Sequence, residues 1–165
     1  PRRKRLRMKY VILVAITIAF APPAAAQPIT SQHPRIGELA ELSFDTGSKK
    51  VRVDARARLG HVAAWARQNP EGLVILDAHA DKRGPRSANL LLALDRANAV
   101  RSELIVFGVD SDQIVIAAYG ESGPSRGTNR RVVVWGTRAG MGAVIARTNA
   151  RGEAVIRTSG PVATR

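Results

Sequence analysis

The run Leu73-Val74-Ile75-Leu76-Asp77-Ala78-His79-Ala80-Asp81, and the stretch Ser87-Ala88-Asn89-Leu90-Leu91-Leu92-Ala93-Leu94-Asp95-Arg96-Ala97-Asn98-Ala99-Val100 after it, decide the fold. Leu73–Leu76 is a short apolar run and reads as a buried strand. The polar segment Asp77–Ser87 follows. Leu92, Val100, Leu104 and Phe107 then form one apolar stripe with Ala93 and Ala97 beside it, so a helix succeeds the strand. Gly108 terminates that helix, because glycine enters the left-handed backbone of a helix end without steric cost.

The same logic extends in both directions. Upstream, Leu39–Phe44 is a short strand, and Asp45-Thr46-Gly47-Ser48 is turn chemistry. Ala55, Leu59, Val62, Ala63 and Ala66 recur at helical spacing, and Asn69-Pro70 stops the helix, since proline lacks a donor and restricts its predecessor. Downstream, Gln113–Tyr119 alternates and is rich in β-branched residues, and Arg131–Trp135 is another strand. The order β-α-β-α-β-β predicts an α/β (α+β) two-layer sandwich with helical crossovers packed on one sheet. In the tail, Gly142–Thr148 and Glu153–Thr158 are near-copies separated by the turn residues Asn149–Gly152, which predicts a β-hairpin extension over 137–165. A hairpin alone is marginal in water, so it is expected to dock on the sheet, with Trp135 as a seat, or to be mobile.

The ends have other characters. Met8-Lys9-Tyr10 precedes the apolar run Val11–Ala21, which Pro22-Pro23 break before Ala24-Ala25-Ala26. A basic start, a short apolar core and an A-x-A site make residues 1–26 an export signal, with cleavage expected after Ala26. An uncleaved anchor is the alternative, although a spanning helix needs about 20 apolar residues. Residues 27–38 read as a linker and 39–136 as the folded domain. The formal net charge of +13 is unevenly spread: +6 lies in 1–26, +3 in 27–136 and +4 in 137–165. Most of the excess is therefore outside the domain, which weakens the nucleic-acid reading that the total invites. The absence of cysteine excludes disulfides, thiolate metal sites and a cysteine nucleophile.

Asn89 and Arg96, seven residues apart, share a helix face. Asp81 ends the preceding strand, and the strand-to-helix turn can return it to Arg96. Such a pair is either a structural salt bridge or a small cleft with one anionic and one cationic contact.

This constellation resembles the OmpA-like domain family over Leu42–Trp135. Phe44-Asp45-Thr46-Gly47-Ser48 looks like the family's FDxxS opening, and His79-x-Asp81-x-x-Gly84 like its HTDxxG core. Asn89, Leu92, Arg96, Ala97 and Val100 fit its NxxLSxxRAxxV helix. Tyr119-Gly120-Glu121 fits its YGE, and Asn129-Arg130-Arg131-Val132 its NRRV. The resemblance implies a mixed sheet and binding to the diaminopimelate of peptidoglycan stems, without catalysis or cofactor. It implies that Asp81 takes the ligand's ammonium and Arg96 its α-carboxylate. A planar guanidinium fork suits a carboxylate. Asn89 would hold the ligand or the Asp81 loop, Arg130 or Arg131 would add a rim cation, and His79 would complete the site in a mainly structural role.

It further implies a periplasmic protein of a Gram-negative envelope, with peptidoglycan as partner, no nucleic acid and no membrane span in the mature chain. A second, proteinaceous partner is expected at the C-terminal extension. The sequence departs from the pattern at Ala78 (glycine), Ala80 (threonine) and Ala93 (serine), and in a shorter loop between Tyr119 and Asn129, so weaker binding is expected. The rivals are a protein-interaction scaffold with a degenerate pocket, and a nucleic-acid domain, which would want aromatics such as Tyr119 and Trp135 on an open sheet face. A hydrolase would need a paired carboxylate or metal set, and none is visible. A Ser87–His79–Asp77 triad can be drawn, but no nucleophile elbow supports it.

Overall fold

In a computed structural model of the chain, residues 36–123 and 129–158 are described. The expected signal segment, most of the linker and residues 124–128 lie outside them. Five strands and three helices follow in the order β1 (Gly37–Ser43), α1 (Val53–Gln68), β2 (Leu73–His79), α2 (Arg86–Val106), β3 (Ile114–Gly120), β4 (Arg131–Thr137), α3 (Met141–Arg151) and β5 (Val155–Thr158). The strands form one mixed sheet in the order β1-β4-β2-β3-β5. Only β2 and β3 are parallel, joined by the α2 crossover. β4 lies antiparallel between β1 and β2, and β5 antiparallel on β3.

The alternation of side chains along a strand assigns each residue to one face. On the first face Val74, Leu76 and Ala78 of β2, Ile114, Ile116 and Ala118 of β3, and Val132 and Val134 of β4 form the main core. They pack against Leu59, Val62 and Ala66 of α1 and Ala93, Ala97, Val100 and Leu104 of α2. α1 ends at Gln68, where Pro70 forbids continuation, and the Asn69 side chain caps it by donating to the Trp65 carbonyl at 2.7 Å. Gly108 (φ 84°) follows α2 as expected. β2 runs three residues beyond the apolar run, through Asp77 to His79, because Asp77 finds a buried cationic partner.

The tail corrects the expected hairpin. Its second arm is a strand, β5, but its first arm is the helix α3. Val144 and Thr148 lie four residues apart and are both buried; Arg147 and Arg151 have the same spacing and both reach Asp77. One helical face thus delivers an apolar contact and two cations to the sheet, which a strand of the same residues would divide between two faces. The three alanines 143, 146 and 150 favour the helix, and Gly152 (φ 136°) closes it.

α3 covers the second face of the sheet, where Val144 joins Ile75, Val115, Ala117 and Tyr119, with Trp135 and Ile156 at the margin. Trp135 does seat the tail: the Arg147 and Arg151 guanidiniums lie 4.7 and 5.4 Å from its ring.

Asp77 is fully buried and accepts two hydrogen bonds from Arg147, at 2.9 and 3.3 Å, with Arg151 Nε 3.6 Å away. Removing one partner of a buried pair leaves an uncompensated charge. Asp77→Ala is expected to destabilise the protein by about 3 kcal/mol or more, read from the urea midpoint. A midpoint unchanged from wild type would mean that this pair does not hold α3.

Candidate functional site

Arg96 stands on the third turn of α2 and is completely buried. Its guanidinium donates to three main-chain carbonyls: Ser48 at 2.9 Å, His79 at 3.1 Å and Asp45 at 3.2 Å. The Phe44 ring lies 5.3 Å from Cζ. A guanidinium has five N–H groups, so two are left uncommitted. Burial pulls its pKa below the ordinary arginine value; the Asp81 charge opposes that shift and the Arg130 charge adds to it. Arginine nevertheless stays protonated, so a permanent cation sits beneath the loops.

Asp81 lies two residues past β2, in the loop that Gly84 (φ 90°) bends toward α2. It pairs with Arg130 Nη1 at 3.3 Å and approaches Arg83 at 4.0 Å. Both side chains of the Asp81–Arg130 pair are about one-fifth exposed (21% and 22%), so this pair meets solvent while Arg96 does not. Arg130 Nε also reaches the Phe44 carbonyl at 3.4 Å, which ties the pair to the end of β1. Asp81 is close enough to Arg96 to influence its ionisation, but the direct partner of Asp81 is Arg130.

The structure therefore gathers Asp81, Arg96 and Arg130. Asn89 is buried one step along the rim, where its Nδ2 donates to Glu121 at 2.7 Å rather than holding the Asp81 loop. Gly120 (φ 58°) makes this approach possible, since a Cβ there would come within 3.1 Å of the Leu90 backbone. Arg131 and His79 are separated from the cleft by strand alternation. Only the His79 carbonyl meets Arg96; its ring lies on the second face, stacked on Tyr119 at 5.2 Å. Arg131 on that face approaches Glu41 at 4.0 Å. Of the two candidate rim cations, Arg130 is the one that stands beside Asp81.

Glu121 as the partner of Asn89, and the carbonyls that hold Arg96, carried no sequence signal of their own beyond the matched YGE and FDxxS residues. Ala78 and the two positions where the family pattern has hydroxyls, Ala80 and Ala93, are all fully buried in the main core. The drawn triad does not assemble: Asp77 is engaged by arginines, and Ser87 lines a cleft at the start of α2. Among the described residues no cluster of His, Cys, Asp and Glu has the makings of a metal site.

Comparison with known proteins identifies the family and the fold. The OmpA family model matches residues 43–133, and the chain belongs to that family. The family is one of non-enzymatic binding domains. The chain is 36% identical over 104 residues to the peptidoglycan-associated lipoprotein of Mesorhizobium japonicum, covering 63% of this chain and 59% of the relative. It is 35% identical over 100 residues to that of Rhizobium meliloti, covering 61% and 57%. It thus spans less than two-thirds of the length of these relatives. Among solved structures, the peptidoglycan-associated lipoprotein from Burkholderia pseudomallei superposes with a TM-score of 0.54 at 28% identity, over 58% of this chain and 88% of that one. The C-terminal domain of Helicobacter pylori MotB does so with 0.54 at 18% identity, over 67% and 92%, and shares the fold.

The buried His79 has a pH consequence. Burial, with the charges of Arg131 and Arg151, lowers its pKa from 6.5 to about 4. The unfolded chain then binds the proton first, so this contribution to stability is complete above about pH 6.5 and is lost as pH falls toward 4. At 1.36 kcal/mol per unit the loss is on the order of 3 kcal/mol. Urea unfolding from pH 7 to 4 is expected to give a shallower decline for His79→Phe than for the wild type. Parallel curves would mean that His79 titrates in the folded state as it does in the unfolded chain.

Proposed function

We propose that this chain is a non-catalytic module of the Gram-negative periplasm that grips peptidoglycan through the diaminopimelate residue of its peptide stem. The observation that carries the reading is the part-exposed Asp81–Arg130 ion pair, both of whose charges act on the buried Arg96. A diaminopimelate arm is a zwitterion and needs both signs of charge at a fixed separation. Asp81 takes its ammonium. Its carboxylate displaces Asp81 from Arg130 and engages Arg130 together with the uncommitted N–H groups of Arg96. Entry to Arg96 requires Arg130 to swing aside, since Arg96 has no exposed surface of its own.

Family membership and the names of the lipoprotein relatives support the same ligand class. They also support association with the cell envelope, where the module would position a larger component. No described helix is long and apolar enough to cross a membrane. The nucleic-acid alternative loses support because α3 covers the face that carries Tyr119 and Trp135.

Sedimentation of residues 27–165 with insoluble diaminopimelate-type peptidoglycan tests the proposal. Asp81→Asn and Arg130→Ala are each expected to weaken retention about tenfold or more, as loss of a charged hydrogen bond does, with the thermal transition nearly unchanged. The exposed Arg52→Ala is the control. Full retention by a folded Asp81→Asn variant would refute the assignment.

A further inference from the structure

The family match ends at residue 133, yet the fold continues through α3 and β5. The turn between these elements meets the loop that follows β3. Gly152 sits so close to this loop that a Cβ on it would stand 2.9 Å from the Ser122 carbonyl, and its φ of 136° disfavours any side chain. Glu153 forms an ion pair with Arg86 in the first turn of α2, and the same Arg86 Nη2 donates to Ser122 Oγ at 3.1 Å. Arg86, Ser122 and Glu153, with Leu90, Tyr119 and Val155, line one cleft of about 340 Å³ at this junction. The neighbouring loop residue, Glu121, accepts the hydrogen bond of Asn89 on the rim of the candidate site. The base of the turn is held by the buried Asp77–Arg147–Arg151 group on the second face.

We infer that the α3–β5 turn is a positioning element for the ligand cleft: Gly152 and Glu153 press Ser122 against the start of α2 and thereby keep Glu121 on Asn89. The inference rests on the peptidoglycan reading above and adds to it a second, tail-borne wall. Gly152 and Glu153 touch no ligand; they act through Ser122 and Glu121. The turn therefore does for this cleft what a longer loop between Tyr119 and Asn129 would otherwise have to do from within.

Two readouts on the full chain test it. The first is hydrogen exchange at the Ser122 amide, which donates to the Tyr119 carbonyl at 3.0 Å and reports the loop without any ligand. The second is affinity for soluble muropeptide containing diaminopimelate. In Glu153→Ala and in Gly152→Val, exchange at Ser122 is expected to accelerate. Affinity is expected to fall about three- to tenfold, the range that loss of a single neutral hydrogen bond brings. The thermal transition of Glu153→Ala should stay close to that of the wild type, and that of Gly152→Val should fall with the strain at its backbone. The exchanged pair Arg86→Glu with Glu153→Arg should restore both readouts, which a merely structural perturbation would not allow.

Wild-type affinity in every folded variant, or unchanged exchange at Ser122, overturns the inference alone. A wild-type protein that fails to bind muropeptide overturns the functional reading and this inference with it. If Gly152→Val proves unfolded, Glu153→Ala and the exchanged pair decide.

Discussion

A charge that cannot be neutralised lies inside this domain, and the loops at one end of the sheet are arranged around it. Arg96 is fully buried on α2, and its guanidinium is held by the carbonyls of Asp45, Ser48 and His79. A buried ion is costly unless dipoles or a counter-ion replace its water. The turn after β1 and the end of β2 supply the dipoles, so both segments are pinned to α2. Asp81, two residues beyond the pinned His79 carbonyl, supplies the nearby negative charge. The loops around the Asp81–Arg130 pair thus owe their placement to one side chain, two of whose donors stay uncommitted.

Strand alternation then divides the chemistry between the two faces of the sheet. The face under α1 and α2 is apolar and backs the Arg96 cleft. The other face carries Asp77, His79, Tyr119 and Arg131, and α3 closes over much of it with Arg147 and Arg151. A buried ion pair is weak evidence for added stability, because desolvation offsets much of the attraction. It specifies orientation well, however, since only one docking of α3 brings both cations to Asp77. That orientation carries the α3–β5 turn to Ser122, on the rim of the opposite face's cleft.

Most of the architecture was legible because the apolar periods were clean. The helical spacing of Ala55, Leu59, Val62 and Ala66, the stop at Pro70, the stripe through Leu104 and the terminator Gly108 all stand in the fold. The tail misled because Gly142–Thr148 and Glu153–Thr158 are nearly the same in composition but differ in surroundings. The first carries Arg147, whose partner Asp77 lies far off in the sequence; the second meets the open edge of β3. At the site, Asp81 and Arg96 were readable from spacing and motif. The interposed Arg130 was one of two candidates, and only the face assignment of β4 decides between them. His79 was drawn to the cleft by its neighbourhood in sequence, while its ring points to the other face.

On the proposed function, Arg96 and Arg130 receive the carboxylate of a diaminopimelate arm. The most direct measurement is titration of ¹⁵N-labelled protein with free diaminopimelate, followed through the assigned arginine Nε signals. Saturable shifts are expected at Arg96 and Arg130, and Asp81→Asn is expected to abolish them. Shifts confined to exposed arginines such as Arg52, or no saturable change at Arg96, would contradict it.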